Sequence, residues 1–418
     1  MYDAIIVGAR CAGAPTAMLL AQKGYRVLLV DKASFPSDTI STHILWPHGA
    51  EIMYRWGLLD RLAATGCPPV ALGLIFDVGP FALKGGVTDT NAGRGGFCPR
   101  RTVLDKLLVD AAVDAGAELR EGFTAEALIW EIDRVAGIKG HSRTGGSVVE
   151  RARVVIGADG VHSMVAKAVR APQYDEKPPL TTNYYSYYSG FAADDLEEYV
   201  RDYQAVGCFP THDGLTLIAV LWRSIRFDEV RRDIEGHVRK VLESTPSVAD
   251  RLLDAKRETK WVGTAGVANH FRRPYGPGWA LVGDAGYDKD PITAQGISDA
   301  FIDAENLTIA LDDGWSARRP LDVAMADYQS RRDQRAKPMY DFTCQLATLE
   351  PPPPPMQRLF AALRGNQEAT NQFFSALTGS RPLPAFMNPE NIDRIVASAG
   401  LKGDAIRISP GTATSRDA

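Results

Sequence analysis

The chain has 418 residues, 45% of them hydrophobic, and a formal net charge of -4. That much apolar material fills two to three domains or one large two-lobed body and excludes a disordered or fibrous chain. Its basic residues are scattered rather than clustered, which argues against nucleic acid or an anionic membrane as the main partner and leaves small molecules. The opening MYDAIIVGAR shows no basic region followed by a cleavage site, and no apolar run reaches about 18 residues. A cytoplasmic protein without stable membrane association is therefore expected. The cysteines Cys11, Cys67, Cys98, Cys208 and Cys344 form no C-x-x-C pair, and the histidines form no H-x-x-x-H pair. Reduced thiols and no metal site are expected.

In chain order, AIIVG reads as a strand, ARCAGAPTAMLLAQKG as a helix stopped by Gly24, and YRVLLVD as a second strand. This is a βαβ unit of about thirty residues, the size of a mononucleotide-binding half. Its turn, Gly8-Ala9-Arg10-Cys11-Ala12-Gly13, has the spacing of a dinucleotide fingerprint, with Arg10 where the middle glycine is expected. Asp31, 18 residues beyond Gly13, ends the next strand where a ribose-binding carboxylate belongs. TVLDKLLVDAAVDAG reads as a helix capped by Thr102 and ended by Gly116. The segments ALIWEI, RVAGIKG and ARVVIGAD return the chain to the sheet, and Gly157-Ala158-Asp159-Gly160-Val161-His162-Ser163 closes the last as a strand-terminating turn.

From about Pro178 to Val262 the chain is rich in aromatic and β-branched residues (TTNYYSYYSGF, YQAVGCF, LTLIAVLWRS), which predicts antiparallel sheet in a separate lobe. WALVGDAG then reads as a parallel strand, followed by Asp290-Pro291-Ile292-Thr293-Ala294-Gln295-Gly296 and a helix opening at Gln295. That segment brings a carboxylate, Asp284, and a helix N-terminus to one place. The carboxylate suits a ribityl hydroxyl, and the N–H groups near Gln295, Gly296 and Ile297 suit negative charge on a reduced flavin ring. Pro351 to Pro355 read as a rigid connector, MQRLFAALRG and TNQFFSALTG as short helices, and ISPGTATSRDA as a frayed end.

The order and spacing of these three segments resemble the single-component FAD-dependent aromatic monooxygenases of the para-hydroxybenzoate hydroxylase type, over residues 2 to about 335. The same superfamily holds geranylgeranyl reductases and flavin halogenases. The resemblance implies an α/β fold with a discontinuous Rossmann-type FAD-binding lobe (1–70, 100–177, 263–335), an antiparallel β-sheet substrate lobe (71–99, 178–262) and a C-terminal helical segment (336–418). It assigns FAD contacts to Gly8, Gly13, Asp31, Arg101, Asp159, Gly160, Asp284, Gln295 and Gly296, with Pro291 against the ring; Lys32, Thr42, Ala125 and Ile297 are further cofactor-contact candidates, and Arg10 either neutralises the diphosphate, the reading preferred here, or projects into solvent. Departures from the broad pattern are Arg10, Tyr287 for histidine, Ala294 for glycine, Ala166 for arginine, and Ser41 for an arginine, whose work falls to Ser41, Thr42 and His43. GARCAGA, FPSDTISTH, RWGLLD and YDKDPITAQGISDAF are similar to a bacterial branch that includes nitrophenol monooxygenases.

The reaction so implied uses NAD(P)H and O2 to hydroxylate a small aromatic, phenolic substrate through a C4a-hydroperoxyflavin. A phenol gains from deprotonation through a histidine or tyrosine relay. His43, Tyr184 and Tyr187 are the candidates, although a tyrosine-rich strand equally suits ordinary packing and only one of each adjacent pair can face a pocket. His212 and Trp222 suit substrate contact or packing. The halogenase reading lacks its W-x-W pair. A reductase of isoprenoid double bonds shares the three segments, and a non-catalytic flavin-binding scaffold is the alternative of another class. NADH against NADPH, and a homodimer against a monomer, stay open.

Overall fold

The computed structural model describes residues 1–70, 73–88, 95–143, 145–193 and 195–400. The end expected to fray lies outside the described residues. In chain order, the elements that position the site are β1 (Tyr2–Val7), α1 (Gly13–Gln22), β2 (Val27–Val30), β3 (Leu74–Asp77), α2 (Arg101–Asp114), β4 (Glu118–Arg120), β5 (Ser147–Gly157), α3 (Met164–Ala168), β6 (Thr181–Ser189), β7 (Leu196–Arg201), β8 (Gln204–Pro210), β9 (Thr216–Arg223), β10 (Trp279–Leu281), α4 (Gly296–Trp315) and α5 (Leu321–Leu346).

Strands apolar on both faces need covering on both faces, which is the condition for parallel pairing. β1 and β2 are such strands, and they sit inside the parallel order β10-β5-β1-β2-β4. Alternation along β1 divides its side chains between two cores. Ala4 and Ile6 pack with α1, α2 and α4, while Ile5 and Val7 pack with Val165 of α3 and the hairpin strands Phe123–Glu131 and Arg134–Ser142. Thr102 does not cap α2: the helix begins at Arg101, one residue earlier, and its N-cap Arg100 makes no side-chain cap.

The second sheet runs β6-β9-β8-β7-β3. Hairpin neighbours pair antiparallel as expected, but β7 pairs parallel with β3, which arrives from far upstream rather than through a hairpin. Period-two alternation again separates two faces. Tyr184, Val220, Val206 and Tyr199 join Trp222 and the helices Ile234–Glu243 and Pro246–Leu252 in an outer core. Tyr185, Ala219, Gly207, Glu198 and Phe76 lie opposite one another in register on the other face.

The expected boundary between residues 335 and 336 falls inside α5, which runs unbroken to Leu346. Buried Arg332 holds this helix to the body by donating to the carbonyls of Gly286 (2.9 Å) and Arg272 (2.9 Å) and to the Tyr174 hydroxyl (2.8 Å). The proline run is a connector only at Pro351 to Pro353, because Pro354 and Pro355 open the helix Pro354–Leu363, where their missing N–H groups cost nothing. That helix and Gln367–Leu377 bury Leu359, Phe360, Phe373 and Phe374 against Phe76 and Phe209 of the second sheet. Arg332→Ala takes a donor from both carbonyls and from the Tyr174 hydroxyl, leaving Gly286 only the Arg272 N–H (2.9 Å); urea unfolding should show a loss of about 3 kcal/mol or more.

Candidate functional site

One cavity of about 1480 Å³ runs from the parallel sheet to the inner face of the second sheet. Ligand pockets for drug-sized molecules are about 300–1,000 Å³. This volume suits a dinucleotide and a second small molecule together.

Its first wall is the turn after β1. Gly8 has φ +102°, and a Cβ there would lie 2.4 Å from the Ala158 carbonyl oxygen; a Cβ on Gly13 would lie 1.8 Å from the Gly8 oxygen. The turn and the end of β5 therefore touch backbone to backbone. Gly8 lines the cavity, whereas Gly13 is the packing glycine beneath it. Asp31 accepts from the N–H groups of Ala9 (2.8 Å) and Ala33 (2.8 Å), bracing the turn, and it lines the cavity with Lys32 and Ala125. Arg10 donates to Asp105 (2.5 Å), to the Ser37 hydroxyl (2.9 Å) and to the carbonyls of Ser37 and Asp38. Arg101 meets the same fully buried Asp105 at 2.9 Å. Asp105 is the residue that sequence reasoning missed; its one signal was the helical i,i+4 spacing from Arg101.

Asp159 and Gly160 line the cavity, but the Asp159 carboxylate accepts from the Ser163 hydroxyl (2.5 Å) and the Met164 N–H (2.6 Å). It closes the start of α3. The third segment is the more open one. Asp284 and Gly296 are exposed, both on the cavity wall, beside buried Gln295 and Ile297. Neither α1 nor α4 has a side-chain cap at its N-terminus, and the N-cap residues Ala12 and Gln295 both line the cavity. Uncapped N–H groups and helix dipoles suit an anion. This donor set, with free Asp284, fits a dinucleotide diphosphate and hydroxyl-bearing chain.

Pro291 lines the cavity and starts a single turn, Pro291–Thr293, after which Ala294 is left-handed at φ 52°. Glycine adopts that conformation without strain, which accounts for glycine being usual there. Behind the turn, Lys289 donates to the Tyr287 hydroxyl (2.7 Å) and pairs with Asp299, and Arg335 pairs with Asp299 and with Asp303 (2.9 Å). Burial alone would raise the Asp299 carboxyl, but Lys289 and Arg335 hold it well below the carboxylate range.

Of the expected relay residues, His43 and Tyr187 meet, though off the cavity wall. His43 is fully buried with φ 66°; its Nδ1 stands 2.7 Å from the Ser41 carbonyl and must donate, so Nε2 accepts from the Tyr187 hydroxyl at 2.6 Å. Arg100 sits 4.0 Å over the Tyr187 ring. Burial lowers the His43 pKa to about 4 and pushes the Tyr187 hydroxyl well above its ordinary value. The residue that reaches the cavity is Tyr185, edge-on to His43 and Tyr187, while Tyr184 points into the outer core against Trp222. Ser41 and Thr42 line the cavity, and His212 instead accepts from the Arg100 N–H (3.1 Å) outside it.

A family model described as "FAD binding domain" matches residues 1–343. The chain is 27% identical over 388 residues to rifampicin monooxygenase of Streptomyces venezuelae, covering 87% of this chain and 75% of that protein. It is 26% identical over 314 residues to digeranylgeranylglycerophospholipid reductase 2 of Methanopyrus kandleri, covering 72% and 74%. The fold matches the myxobacterial chondrochloren halogenase, an FAD-dependent halogenase, with a TM-score of 0.77 at 18% identity over 95% of this chain and 96% of the other.

Asp284→Ala removes a carboxylate that has no hydrogen-bond or ion-pair partner among the described residues, so it should weaken FAD binding about tenfold by fluorescence titration while leaving apoprotein melting unchanged. His43 has a second signature. Its pKa in the fold, about 4, lies below its ordinary 6.5, so the stability it contributes is complete above pH 6.5 and lost as pH falls through 4. His43→Asn, which tolerates the left-handed backbone, should flatten that acid limb of the urea-unfolding profile by about 3 kcal/mol.

Proposed function

The chain belongs to the FAD-binding-domain family, within the para-hydroxybenzoate hydroxylase-like flavin monooxygenase superfamily, and on that premise we propose that it uses NAD(P)H and O2 to hydroxylate a small aromatic, phenolic substrate. The observation that carries this reading is the continuity of the cavity. Gly8, Asp31, Asp284 and Gly296 line the same space as Tyr185, Phe76, Leu217 and Pro291. Cofactor and substrate would share one chamber from which the second sheet excludes bulk water.

In this reading the N-terminus of α1 binds the FAD diphosphate, Asp31 a ribose, and Asp284 the ribityl chain. Gly296 and Ile297, at the N-terminus of α4, and Pro291 would hold the flavin ring. Arg101 supports the diphosphate side as a cation fixed by Asp105, and Arg10 ties the turn to Ser37 and Asp38. When bound, FAD supplies the electron transfer from NAD(P)H and the activation of O2. The chain's own residues orient the ring: Tyr185 offers an edge and a hydroxyl, and the apolar side chains of β3, β8 and β9 hold an aromatic plane. His43 and Tyr187 act behind Tyr185, with the Ser41 carbonyl keeping His43 neutral and in one tautomer. Likeness to the nitrophenol-hydroxylating branch, together with 87% coverage by a relative named as a monooxygenase, favours oxygen transfer.

The apolar sheet wall and the similarity to a reductase of prenyl chains favour a second reading, double-bond reduction. One set of assays separates the two. Purified protein should carry or take up FAD, and a phenol should stimulate NAD(P)H oxidation with oxygen uptake and a product heavier by one oxygen atom. Anaerobic reduction of a prenyl substrate without such uptake would favour the reductase. A yellow protein with no substrate-stimulated turnover would leave only a scaffold, and failure to bind FAD would sink both enzymatic readings.

A further inference from the structure

The inner face of the second sheet carries one row that crosses five strands: Phe76 opposite Glu198, Glu198 opposite Gly207, Gly207 opposite Ala219, and Ala219 opposite Tyr185. All five line the cavity. The neighbouring rows add Val200, Ala205 and Leu221 on one side and Phe209 and Leu217 on the other. Within this wall Glu198 is the one acidic side chain, and among the described residues it has no hydrogen-bond or ion-pair partner.

From this placement we infer that Glu198 is the specificity-determining residue of the substrate chamber: it accepts a hydrogen bond from an ammonium or hydroxyl group on an otherwise apolar ligand and turns carboxylated ligands away. The inference rests on the reading that this end of the chamber receives the substrate.

The groups packed around Glu198 leave it no other role. Its strand neighbours present Phe76 and Gly207, and the elements closing over it present Ile292, Leu346 and Phe374, none of them titratable. Tyr185 is the other titratable group in its row. Among the described residues no cation of the chamber pairs with Glu198: Arg10 and Arg101 meet Asp105, Lys289 meets Asp299, Lys177 meets Asp341, Arg272 donates to the Ala285 carbonyl, and Lys32 follows Asp31 on the wall of the first turn. A carboxylate with apolar neighbours and no donor weakens a fold, so leucine or glutamine would serve packing better. What it supplies is a fixed acceptor aimed into the chamber, and a ligand that brings the donor completes it. Burial pushes the Glu198 carboxyl up to about 7, so its charge, and with it the preference, changes within the neutral range.

Calorimetric titration of the FAD-loaded protein with benzylamine, benzyl alcohol and benzoate, three probes with one ring and different heads, tests this. The wild-type protein at pH 8 should bind benzylamine about tenfold or more tighter than benzoate, with benzyl alcohol between them. Lowering the pH to 6 protonates Glu198 while a primary amine stays charged, so the preference should shrink. Glu198→Gln should cut the benzylamine-to-benzoate ratio about tenfold and remove its pH dependence; Glu198→Ala serves as the second variant and should do the same. Equal ratios in wild type and both variants, or tighter binding of benzoate by the wild type, would overturn the inference. Calorimetry reads binding without turnover, so an intact head-group preference in a protein that hydroxylates no phenol would count against the monooxygenase reading alone.

Discussion

Asp299 is a carboxylate placed where water scarcely reaches, and a buried charge is tolerable only when cations meet it. Lys289 comes to it from the loop before the turn Pro291–Thr293, and Arg335 from α5, which also reaches Asp303 one helical turn on. The pairing pins that loop between two helices. From the loop, Asp290 accepts from the N–H and hydroxyl of Thr181 at 2.9 Å, which fastens the first residue of β6 and with it the second sheet. Trp46 donates to the Thr293 carbonyl at 3.0 Å from the other side. Cradle and sheet wall are thus held by one short segment, and Ala294 keeps its left-handed backbone because its neighbours on both sides are tied.

Much of this could be seen in the sequence, for reasons that differ by segment. The βαβ unit was legible because apolar strands and the Gly24 stop are local signals, and Asp31 and Asp284 could be placed because each lies just beyond a strand, where the structure has them on the cavity wall. Thr102 misled because capping depends on where the backbone turns, which no side chain announces. The tyrosine strand carried the right constraint, one residue of each adjacent pair facing inward, but not the phase. That is set by which face the helices Ile234–Glu243 and Pro246–Leu252 cover. Asp105 showed only its i,i+4 spacing from Arg101, and Glu198 showed nothing: each is an ordinary acidic residue until tertiary packing brings Arg10 to the first and withholds cations from the second.

The departures from the family pattern also become physical. Arg10 does not stand as a loose charge over a phosphate site; it shares Asp105 with Arg101 and holds Ser37 and Asp38. Two guanidinium groups on one carboxylate leave a net positive charge next to the turn, fixed in place and partly screened from solvent. The missing arginine at Ser41 has left backbone rather than charge to act there: the Ser41 carbonyl selects the tautomer of His43.

The two-faced sheet has an evolutionary consequence. Because residues alternate, one face of β6 to β9 turns Asn183, Tyr185, Glu198, Val200, Gly207 and Ala219 to the chamber and the other turns Tyr184, Tyr199, Val220 and Trp222 to the outer core. Substitutions at 76, 185, 198, 207 or 219 redraw the surface that a ligand meets while the packed side keeps the plate rigid. Such a wall works like movable type in a fixed frame, with new ligands reached by exchanging single letters.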